Sequence, residues 1–174
     1  CFLAKHIKVK VIMNIQLCIA DYRNEQQGKD LLMLLNAYAL DPMGGEEPLT
    51  DYVKDNLLAA LAQRPNMFTL LCYLDGKPAG LINCIESFST FSCKPVINIH
   101  DVVVLPFYRG YGLSEVMLQE VESIAREKGC CKLTLEVLQG NAVAQKAYRK
   151  FGFSGYELDP EMGYAMFWDK KITC

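Results

Sequence analysis

Apolar residues recur along the chain with two different periods, and each period predicts one kind of secondary structure. Alternating or β-branched apolar runs predict strands over residues 14–20, 68–74, 79–85, 96–105, 132–138, 154–158 and 164–169. Apolar residues spaced three and four apart predict helices over residues 26–39, 51–63, 113–128 and 141–151. The predicted order of elements is therefore β-αα-ββ-β-α-β-α-β-β.

Turn and capping residues mark the ends of several of these elements. Asp75-Gly76 lies between two apolar runs and can supply the positive φ of a tight turn, which predicts a hairpin. Thr50 or Asp51 is an N-cap candidate for the second helix, and Asn141 is one for the last helix. Gly152 directly after the last helix is typical of a helix C-terminus.

The order of elements predicts an α/β fold of the α+β kind, with helices on both faces of a mixed sheet. The strand-helix-strand unit from Val96 to Val137 would place two parallel strands at its centre. A length of 174 residues suits one domain. We therefore expect a single domain over residues 13–174, with residues 1–12 as an upstream or expression-derived arm, because Met13-Asn14-Ile15 resembles a natural start.

The charge balance narrows the classes of partner. The chain carries 18 Lys and Arg against 20 Asp and Glu, so its formal net charge is -2. Such a balance lacks the basic surface that nucleic-acid binding requires. No apolar run reaches the roughly 18 uninterrupted residues of a membrane-spanning helix. We therefore expect neither a nucleic acid nor a membrane as a partner.

The cysteines predict neither a metal site nor a disulfide scaffold. The eight cysteines contain no C-x-x-C pair, and the only histidines are His6 and His100. Cys18, Cys72 and Cys84 lie in apolar runs where a thiol behaves as a small hydrophobic side chain, which favours a reducing cytoplasm. Cys130-Cys131 is either a redox pair or a core residue followed by a surface thiol.

The segment from Val102 to Ser114 runs from an apolar strand into a glycine-bearing loop and then into a helix. Gly110 and Gly112 allow the backbone to approach a ligand closely, and the first helical turn offers free N–H groups. We therefore expect an anionic ligand here, with a helix C-cap or a plain tight turn as the alternative. The segment lacks the Gly-Lys-Ser/Thr of a kinase phosphate loop and the third glycine of a dinucleotide-binding loop.

A second informative stretch follows the next strand. Asn141 and Tyr148 are seven residues apart and so lie on one face of a short helix, whose N-terminus is near the strand end that carries Glu136. A carboxylate, an amide and a phenol are therefore expected to converge. The alternatives are a core tyrosine and an asparagine that only caps its helix.

Together, the two stretches resemble the GCN5-related N-acetyltransferase (GNAT) family. The family's coenzyme A loop has the pattern Gln/Arg-x-x-Gly-x-Gly/Ala, which Arg109-Gly110-Tyr111-Gly112-Leu113-Ser114 matches except at Ser114. Its downstream pattern is complete in Asn141-x-x-Ala144-x-x-x-Tyr148-x-x-x-Gly152-Phe153. The resemblance covers about Phe68 to Trp168, and the two N-terminal helices fit the acceptor-binding region of the family.

The resemblance implies an N-acetyltransferase that uses acetyl-CoA as its donor substrate and needs no metal. The donor's diphosphate would lie on the amides of Arg109, Gly110, Tyr111, Gly112, Leu113 and Ser114, with Asn141 beside them. Its pantetheine arm would pair like an extra strand along Val102, Val103 and Val104. The N–H of Val102 or Val103 would polarise the thioester carbonyl, and the loss of one such donor costs other acyl-transfer enzymes about 3 to 4 kcal/mol.

The resemblance also implies roles for three titratable side chains in direct transfer to a primary amine. Tyr148 would give a proton to the departing thiolate as a general acid. Glu136 stands where the family's ribosomal-protein N-terminal acetyltransferases have their proposed base, and His100 where its arylalkylamine acetyltransferases have a catalytic histidine. His100 shares strand parity with Val102 and Val104. The alternatives are a hydrogen-bonded core histidine and a carboxylate that orients the loop.

The family's acceptors include small-molecule amines and peptide amines. The acceptor pocket would come from residues 38–66 and from the loop 86–95. The acidic segment from Asp41 to Pro48 favours a cationic amine that enters past Glu46 and Glu47, with a solvated surface loop as the alternative.

Two broader questions stay open at this point. A non-catalytic acyl-CoA-binding or sensing module is the alternative function, and Ser114 favours it, whereas the joint presence of Tyr148, Asn141 and Glu136 favours catalysis. A homodimer is expected because family members often form one. The aromatic run from Tyr164 to Trp168 is then either an interface edge or part of the core.

Overall fold

The computed structural model of the protein describes residues 13–157, 159–161 and 163–172, so the expected arm over residues 1–12 lies outside the described residues. Its elements are β1 (Ile15–Ile19), α1 (Glu25–Ala39), α2 (Asp51–Ala62), β2 (Met67–Leu74), β3 (Lys77–Ser89), β4 (Lys94–Val104), a short 3-10 helix (Pro106–Tyr108), α3 (Leu113–Glu127), β5 (Leu133–Leu135) and α4 (Ala142–Phe151).

The strands form one mixed sheet of five, in the order β1-β2-β3-β4-β5. Neighbours from β1 to β4 are antiparallel, whereas β5 pairs in parallel with β4. The parallel pair is the strand-helix-strand unit expected from Val96 to Val137, with α3 as its crossover helix. Among the described residues it lies at one edge of the sheet and not at the expected centre, because β5 has no strand on its other side. The predicted α/β fold with a mixed sheet is confirmed.

Each face of the sheet carries its own apolar core, because alternate strand residues point to opposite faces. On one face α3 buries Leu113, Met117 and Val121 against the strands. On the other face α1 buries Leu31 and Leu34. Full burial of one such side chain stabilises a fold by about 1.5 to 3 kcal/mol. The two cores hold the sheet between two helical layers.

The predicted turn and capping residues occur at the ends of the elements where the sequence analysis expected them. Asp75 and Gly76 have φ values of 50° and 76°, and they join β2 to β3 in the predicted hairpin. The hydroxyl of Thr50 accepts a hydrogen bond from the N–H of Val53, so Thr50 is the N-cap of α2. Gly152 ends α4 in the left-handed conformation at a φ of 109°.

The two last predicted strands, over 154–158 and 164–169, are not formed among the described residues. The pairing there consists of one isolated bridge between Glu157 and Tyr164. Aromatic residues favour strands only where a neighbouring edge can accept them. The adjacent strand β5 offers three residues instead of the predicted seven, and the side chains of Phe167 and Trp168 are both 79% exposed.

The adjacent cysteines Cys130 and Cys131 are a core residue followed by a surface thiol, the second of the two alternatives. Cys130 is partly buried against the core beneath α3, whereas Cys131 is exposed. Cys72 and Cys84 are fully buried in the same core, as expected for thiols that act as small apolar side chains. Among the described residues, no helix is both long and apolar enough to cross a bilayer.

Candidate active site

The site begins where β4 and β5 separate. Their pairing ends at Ile99 and Leu135, whereas β4 continues as far as Val104. The chain after β5 leaves the sheet and leads to α4. The last residues of β4 therefore keep a free edge on the side that β5 would have covered.

Main-chain hydrogen bonds show which groups of β4 point to this free edge. The N–H of Leu105 donates to the carbonyl of Ala79 beside β3 at 2.9 Å. Successive residues of a strand direct their main-chain groups to opposite edges. The N–H and C=O of Val103 therefore point to β3, as those of Leu105 do. Those of Val102 and Val104 point to the free edge.

A β-bulge lies just before this segment, at His100. Asp101 pairs with Asn83 and Ile99 pairs with Cys84, so His100 is the additional residue on β4. Its side chain is exposed. Because a bulge interrupts the alternation of faces, parity with the valines that follow does not determine where the imidazole points.

The loop between β4 and α3 presents unpaired main-chain N–H groups. Gly110 and Gly112 have φ values of 86° and 77°, a region that favours glycine, and α3 starts directly after Gly112. The N–H of Val116 is the first to enter the helical pattern, donating to the carbonyl of Gly112 at 3.2 Å. In the part of the chain that the structure describes, the N–H groups of residues 110–114 donate to no acceptor, whereas the N–H of Arg109, which was also expected to be free, donates to the carbonyl of Pro106 at 3.2 Å. They are free to bind an anion, which the helix dipole also favours.

Arg109 connects this loop to the segment that follows α1. Its guanidinium forms an ion pair with Asp41 at 2.7 Å and donates through Nε to the carbonyl of Val104 at 3.2 Å. The Arg109 hydrogen bond, and then the N–H of Met43, hold the pKa of the Asp41 carboxyl below its usual value. The pair therefore stays ionised at neutral pH.

Helix α4 brings two of the predicted residues to the same place. The side chain of Asn141 caps α4 by accepting from the N–H of Ala144 at 3.1 Å. Tyr148 lies two turns further on, packed against the α3 core and edge-on to Phe153 at 6.0 Å between ring centroids. Packing therefore holds the phenol ring in position.

A cleft of about 550 Å³ joins these parts. The predicted site residues that line it are Val102, Val103, Val104, Arg109, Gly110, Gly112, Leu113, Ser114, Asn141 and Tyr148. Tyr111, Glu136 and His100 are not among its lining residues. The free edge of β4, the unpaired amides and the phenol of Tyr148 thus face one space.

The environment of Tyr148 keeps its phenol protonated. Burial, and then repulsion from the Tyr38 phenol when that group is ionised, raise the pKa of Tyr148 to about 12. A side chain that donates a proton must carry one at the working pH. Tyr148 meets this condition throughout the neutral range.

Glu136 lies outside the cleft in a polar contact with β4. Its carboxylate accepts from the side-chain amide of Asn98 at 3.2 Å, and the contact is exposed to solvent. The same amide group also donates to the hydroxyl of Thr134 at 3.2 Å. Glu136 therefore sits beside the point of strand separation and outside the lining of the cleft.

Two cleft residues carried no motif of their own in the sequence. Tyr38 and Asp41 line the cleft from the end of α1 and the loop after it. In the sequence, Tyr38 continues the apolar stripe of α1 and so resembles a core residue. Asp41 differs from its neighbours in the loop only by its charge. Glu46 and Glu47, which were expected at the entrance, are exposed and do not line the cleft.

No metal cluster accompanies the site in the described ranges. Nowhere in them do three His, Cys, Asp or Glu side chains meet in an arrangement that could hold a metal ion. The titratable groups that line the cleft are Tyr38, Tyr108, Tyr148 and the Asp41–Arg109 pair.

Curated relatives match the central part of the chain. A streptothricin acetyltransferase from Streptomyces lavendulae is 38% identical over 85 residues, which is 49% of this chain and 43% of the relative. A putative [ribosomal protein bS18]-alanine N-acetyltransferase from Bacillus subtilis is 29% identical over 101 residues, 58% of this chain and 63% of the relative. This chain thus spans about half the length of the curated relatives it matches.

Solved structures match nearly the whole fold. An acetyltransferase from Trypanosoma brucei superposes with a TM-score of 0.66 at 25% identity and covers 90% of this chain and all (100%) of its own. An aminoglycoside N-acetyltransferase in complex with CoA superposes with a TM-score of 0.69 at 17% identity, covering 94% and 99%. The sequence profile of the Acetyltransferase (GNAT) family matches residues 31–153. The chain belongs to the GNAT family of acetyltransferases.

Proposed function

We propose that the protein transfers an acetyl group from acetyl-CoA directly to a primary amine. The observation that carries this proposal is the joint presence, in one cleft, of the unpaired amides of residues 110–114, the free edge of β4 and the protonated phenol of Tyr148. Family membership supports it. The name of the relative from Bacillus subtilis, an alanine N-acetyltransferase, also supports it.

The donor would be held by main-chain groups along the whole length of the cleft. The diphosphate would bind the amides of residues 110–114, and Asn141 would lie beside it. The pantetheine arm would pair with the outward groups of Val102 and Val104. The carbonyl of Val104 now accepts from Nε of Arg109 at 3.2 Å, so Nε would release that carbonyl when the donor binds, whereas Nη2 would keep its ion pair with Asp41.

The chemistry would need one donor for the developing oxyanion and one for the leaving thiolate. Of the two valines considered, Val102 is the one whose N–H points to the cleft, so it would polarise the thioester carbonyl. The amine attacks that carbonyl carbon with its lone pair, and the C–S bond breaks. Tyr148 gives its proton to the thiolate, and a proton lost from the amine nitrogen restores the phenol.

Removal of the first proton from the acceptor ammonium is assigned to Glu136 or His100 acting through water. Both lie beside the point of strand separation and outside the lining of the cleft. An ammonium group has a pKa near 8 for an α-amine and near 10.4 for a lysine. A base that works through water needs only to pass this proton to solvent.

The acceptor class follows from the relatives and from the cleft. Streptothricin and the alanine amine of a ribosomal protein are the acceptors that the relatives' names give. We therefore propose a small-molecule or peptide primary amine as the acceptor here. The reaction requires no enzyme nucleophile and no metal, because the amine itself attacks the thioester.

The test is acceptor-dependent release of CoA thiol. Purified protein is incubated with acetyl-CoA and one amine at a time: n-pentylamine, L-lysine, an aminoglycoside or a peptide with N-terminal alanine. Mixtures of each amine with acetyl-CoA but without the protein give the background. We expect at least one amine to accelerate thiol release and to appear as its acetamide by mass spectrometry. Calorimetric binding of CoA without release by any amine would instead indicate the acyl-CoA-binding or sensing module that Ser114 favours. The absence of heat on CoA titration would contradict both functions.

A further inference from the structure

One wall of the cleft comes from outside the elements assigned to the donor. Ala37, Tyr38, Asp41, Pro42 and Met43 contribute it from the end of α1 and the loop that follows. Its polar side-chain groups are the phenol of Tyr38 and the carboxylate of Asp41. A polar acceptor that enters the cleft opposite the donor therefore has two side chains on this wall with which to form hydrogen bonds.

Of these two groups, the Tyr38 hydroxyl is the one that is not already engaged. Asp41 forms its ion pair with Arg109 at 2.7 Å. Among the partly buried tyrosines that the structure describes, Tyr22 and Tyr73 form side-chain hydrogen bonds, whereas the hydroxyls of Tyr38, Tyr108 and Tyr148 form none. Its oxygen is available to accept from an amine, and its ring gives the amine an aromatic surface.

A polar chain through the sheet ends at Asp101, which shares a face of β4 with Val103, and Tyr38 packs against the core cluster that contains Val103. The amide of Asn83 donates to Asp101 at 2.9 Å, and the hydroxyl of Thr69 donates to the oxygen of Asn83 at 2.6 Å. Tyr22 is then the donor to Thr69 at 3.1 Å, because the single hydroxyl hydrogen of Thr69 is already used. Asn83 and Thr69 are buried, so this chain fixes the Asp101 carboxylate at the start of the free edge of β4.

The charge of Asp101 acts on Tyr38. Burial, then the carboxylate of Asp101, and then that of Asp41 raise the pKa of the Tyr38 phenol above its usual value. A group that sits in such a field remains neutral, and the same field attracts a cation. The wall opposite the donor is therefore polarised in favour of a positively charged ligand.

We propose that Tyr38 positions the acceptor amine by accepting a hydrogen bond from its nitrogen, and that Asp101 makes this subsite selective for acceptors that bind as ammonium cations. The inference rests on the proposed function and assigns its acceptor subsite. Tyr38 acts on the acceptor nitrogen, whereas Tyr148 acts on the thiolate of the donor. Loss of the Tyr38 hydroxyl should therefore affect acceptor binding and leave donor binding unchanged.

The test compares Tyr38→Phe and Asp101→Asn with the wild-type protein in two measurements. In calorimetry, CoA-saturated protein is titrated at pH 7.5 with n-pentylamine and with its uncharged analogue pentan-1-ol. We expect wild-type protein to bind the amine more tightly than the alcohol. Tyr38→Phe should weaken amine binding about 10-fold, as loss of one hydrogen bond to a charged group predicts. Asp101→Asn should also weaken amine binding, because it removes a negative charge. Pentan-1-ol binding should stay within twofold in Asp101→Asn. In steady-state kinetics, Tyr38→Phe should raise the KM for the amine about 10-fold and leave the KM for acetyl-CoA within twofold.

Tyr52→Phe is the matched control, because Tyr52 is 77% exposed on α2 and lies outside the cleft. Unchanged amine binding in Tyr38→Phe, or equal wild-type affinity for the amine and the alcohol, overturns the inference. Amine selectivity that is lost in Tyr38→Phe, in a protein that releases no CoA with any amine, would overturn the proposed function and support the subsite. Normal turnover with an unaltered acceptor KM in Tyr38→Phe would overturn the subsite alone.

Discussion

In the proposed mechanism, Tyr148 has both a structural and a chemical role. Its ring packs on the α3 core and on Phe153, and the residue also lines the cleft in which the thioester would lie. The packing that holds the ring is also the burial that raises the pKa of the phenol to about 12. A site of this kind keeps its acid protonated without a dedicated hydrogen-bond partner.

Substitution of Tyr148 by Phe tests its role as general acid. We expect kcat with the best acceptor to fall by about 10²- to 10⁴-fold, because general acid catalysis contributes that much, while CoA affinity stays within a few-fold. Because the pKa is raised to about 12, the wild-type kcat should show no decline from Tyr148 ionisation between pH 7 and 10. Full turnover of Tyr148→Phe across this range would show that the proton comes from elsewhere.

Gly112 offers a test of the loop at the level of a single φ angle. It has a φ of 77°, and a Cβ there would meet no atom within 4 Å, so the effect of alanine is strain alone. Gly112→Ala should lower stability by about 1 to 2 kcal/mol and weaken CoA binding about 10-fold, because relief of the strain turns the amides away from the diphosphate.

Gly76→Ala is the control for this substitution. Gly76 has a φ of 76° and equally open surroundings, but it lies in the β2–β3 hairpin, outside the cleft. Chemical denaturation and CoA titration of both variants should show similar losses of stability and a loss of affinity only in Gly112→Ala. Equal CoA affinities in the two variants would exclude the loop amides as the diphosphate site.

At the scale of elements, α4 depends on a cap that also faces the cleft. Asn141→Ala removes the acceptor for the N–H of Ala144 and should lower the free energy of unfolding by about 1 kcal/mol. Asn24→Ala removes the equivalent cap of α1, where the side chain of Asn24 accepts from the N–H of Gln27 at 3.0 Å. Asn24 does not line the cleft. We expect similar losses of stability and a higher KM for acetyl-CoA in Asn141→Ala alone. A matching KM in both variants would mean that Asn141 is only a cap.

The elements also show which parts of the structure the sequence could predict. Helices, the hairpin and the first four strands follow from periodicity and from caps such as Thr50 and Asn141, because these are local effects. The divergence of β5 and the bulge at His100 depend on pairing between distant segments, which periodicity does not record. For the same reason the spacing of Tyr38 on α1 is that of a core residue, and only the family resemblance put it in the expected acceptor region over residues 38–66.

At the scale of the whole molecule, the free energy of unfolding should fall at alkaline pH because of two buried thiols. Burial raises the pKa of Cys72 from 9.0 to about 11 and that of Cys84 from 9.0 to about 12. The folded state therefore keeps protons that the unfolded chain has already lost. The contribution of these two thiols to the free energy of unfolding is fully present below about pH 9. It is lost as the pH rises towards 12, by up to about 1.4 kcal/mol per pH unit for each thiol.

Denaturation under reducing conditions between pH 7 and 11 measures this effect. Cys84→Ala should be less stable than the wild type at pH 7, because it leaves a cavity, but its stability should fall less steeply above pH 9. Cys93→Ala changes an exposed cysteine and should keep the wild-type slope. An unchanged slope in Cys84→Ala would indicate that this thiol is not shielded from solvent.

The aromatic C-terminal segment is the place where a homodimer would form, if the expectation from the sequence holds. Tyr164, Phe167 and Trp168 are exposed, and Trp168 is the single tryptophan of the chain. Association through this segment predicts a concentration-dependent blue shift of the tryptophan emission together with a doubling of mass in sedimentation. A dimer whose emission does not shift would place the interface elsewhere.

The most direct test of the whole account is a crystal structure of the acetyl-CoA complex. The account predicts that oxygens of the diphosphate lie within hydrogen-bonding distance of the N–H groups of residues 110–114, with the thioester between the N–H of Val102 and the hydroxyl of Tyr148. A diphosphate bound away from this loop, with those amides still unpaired, would contradict it.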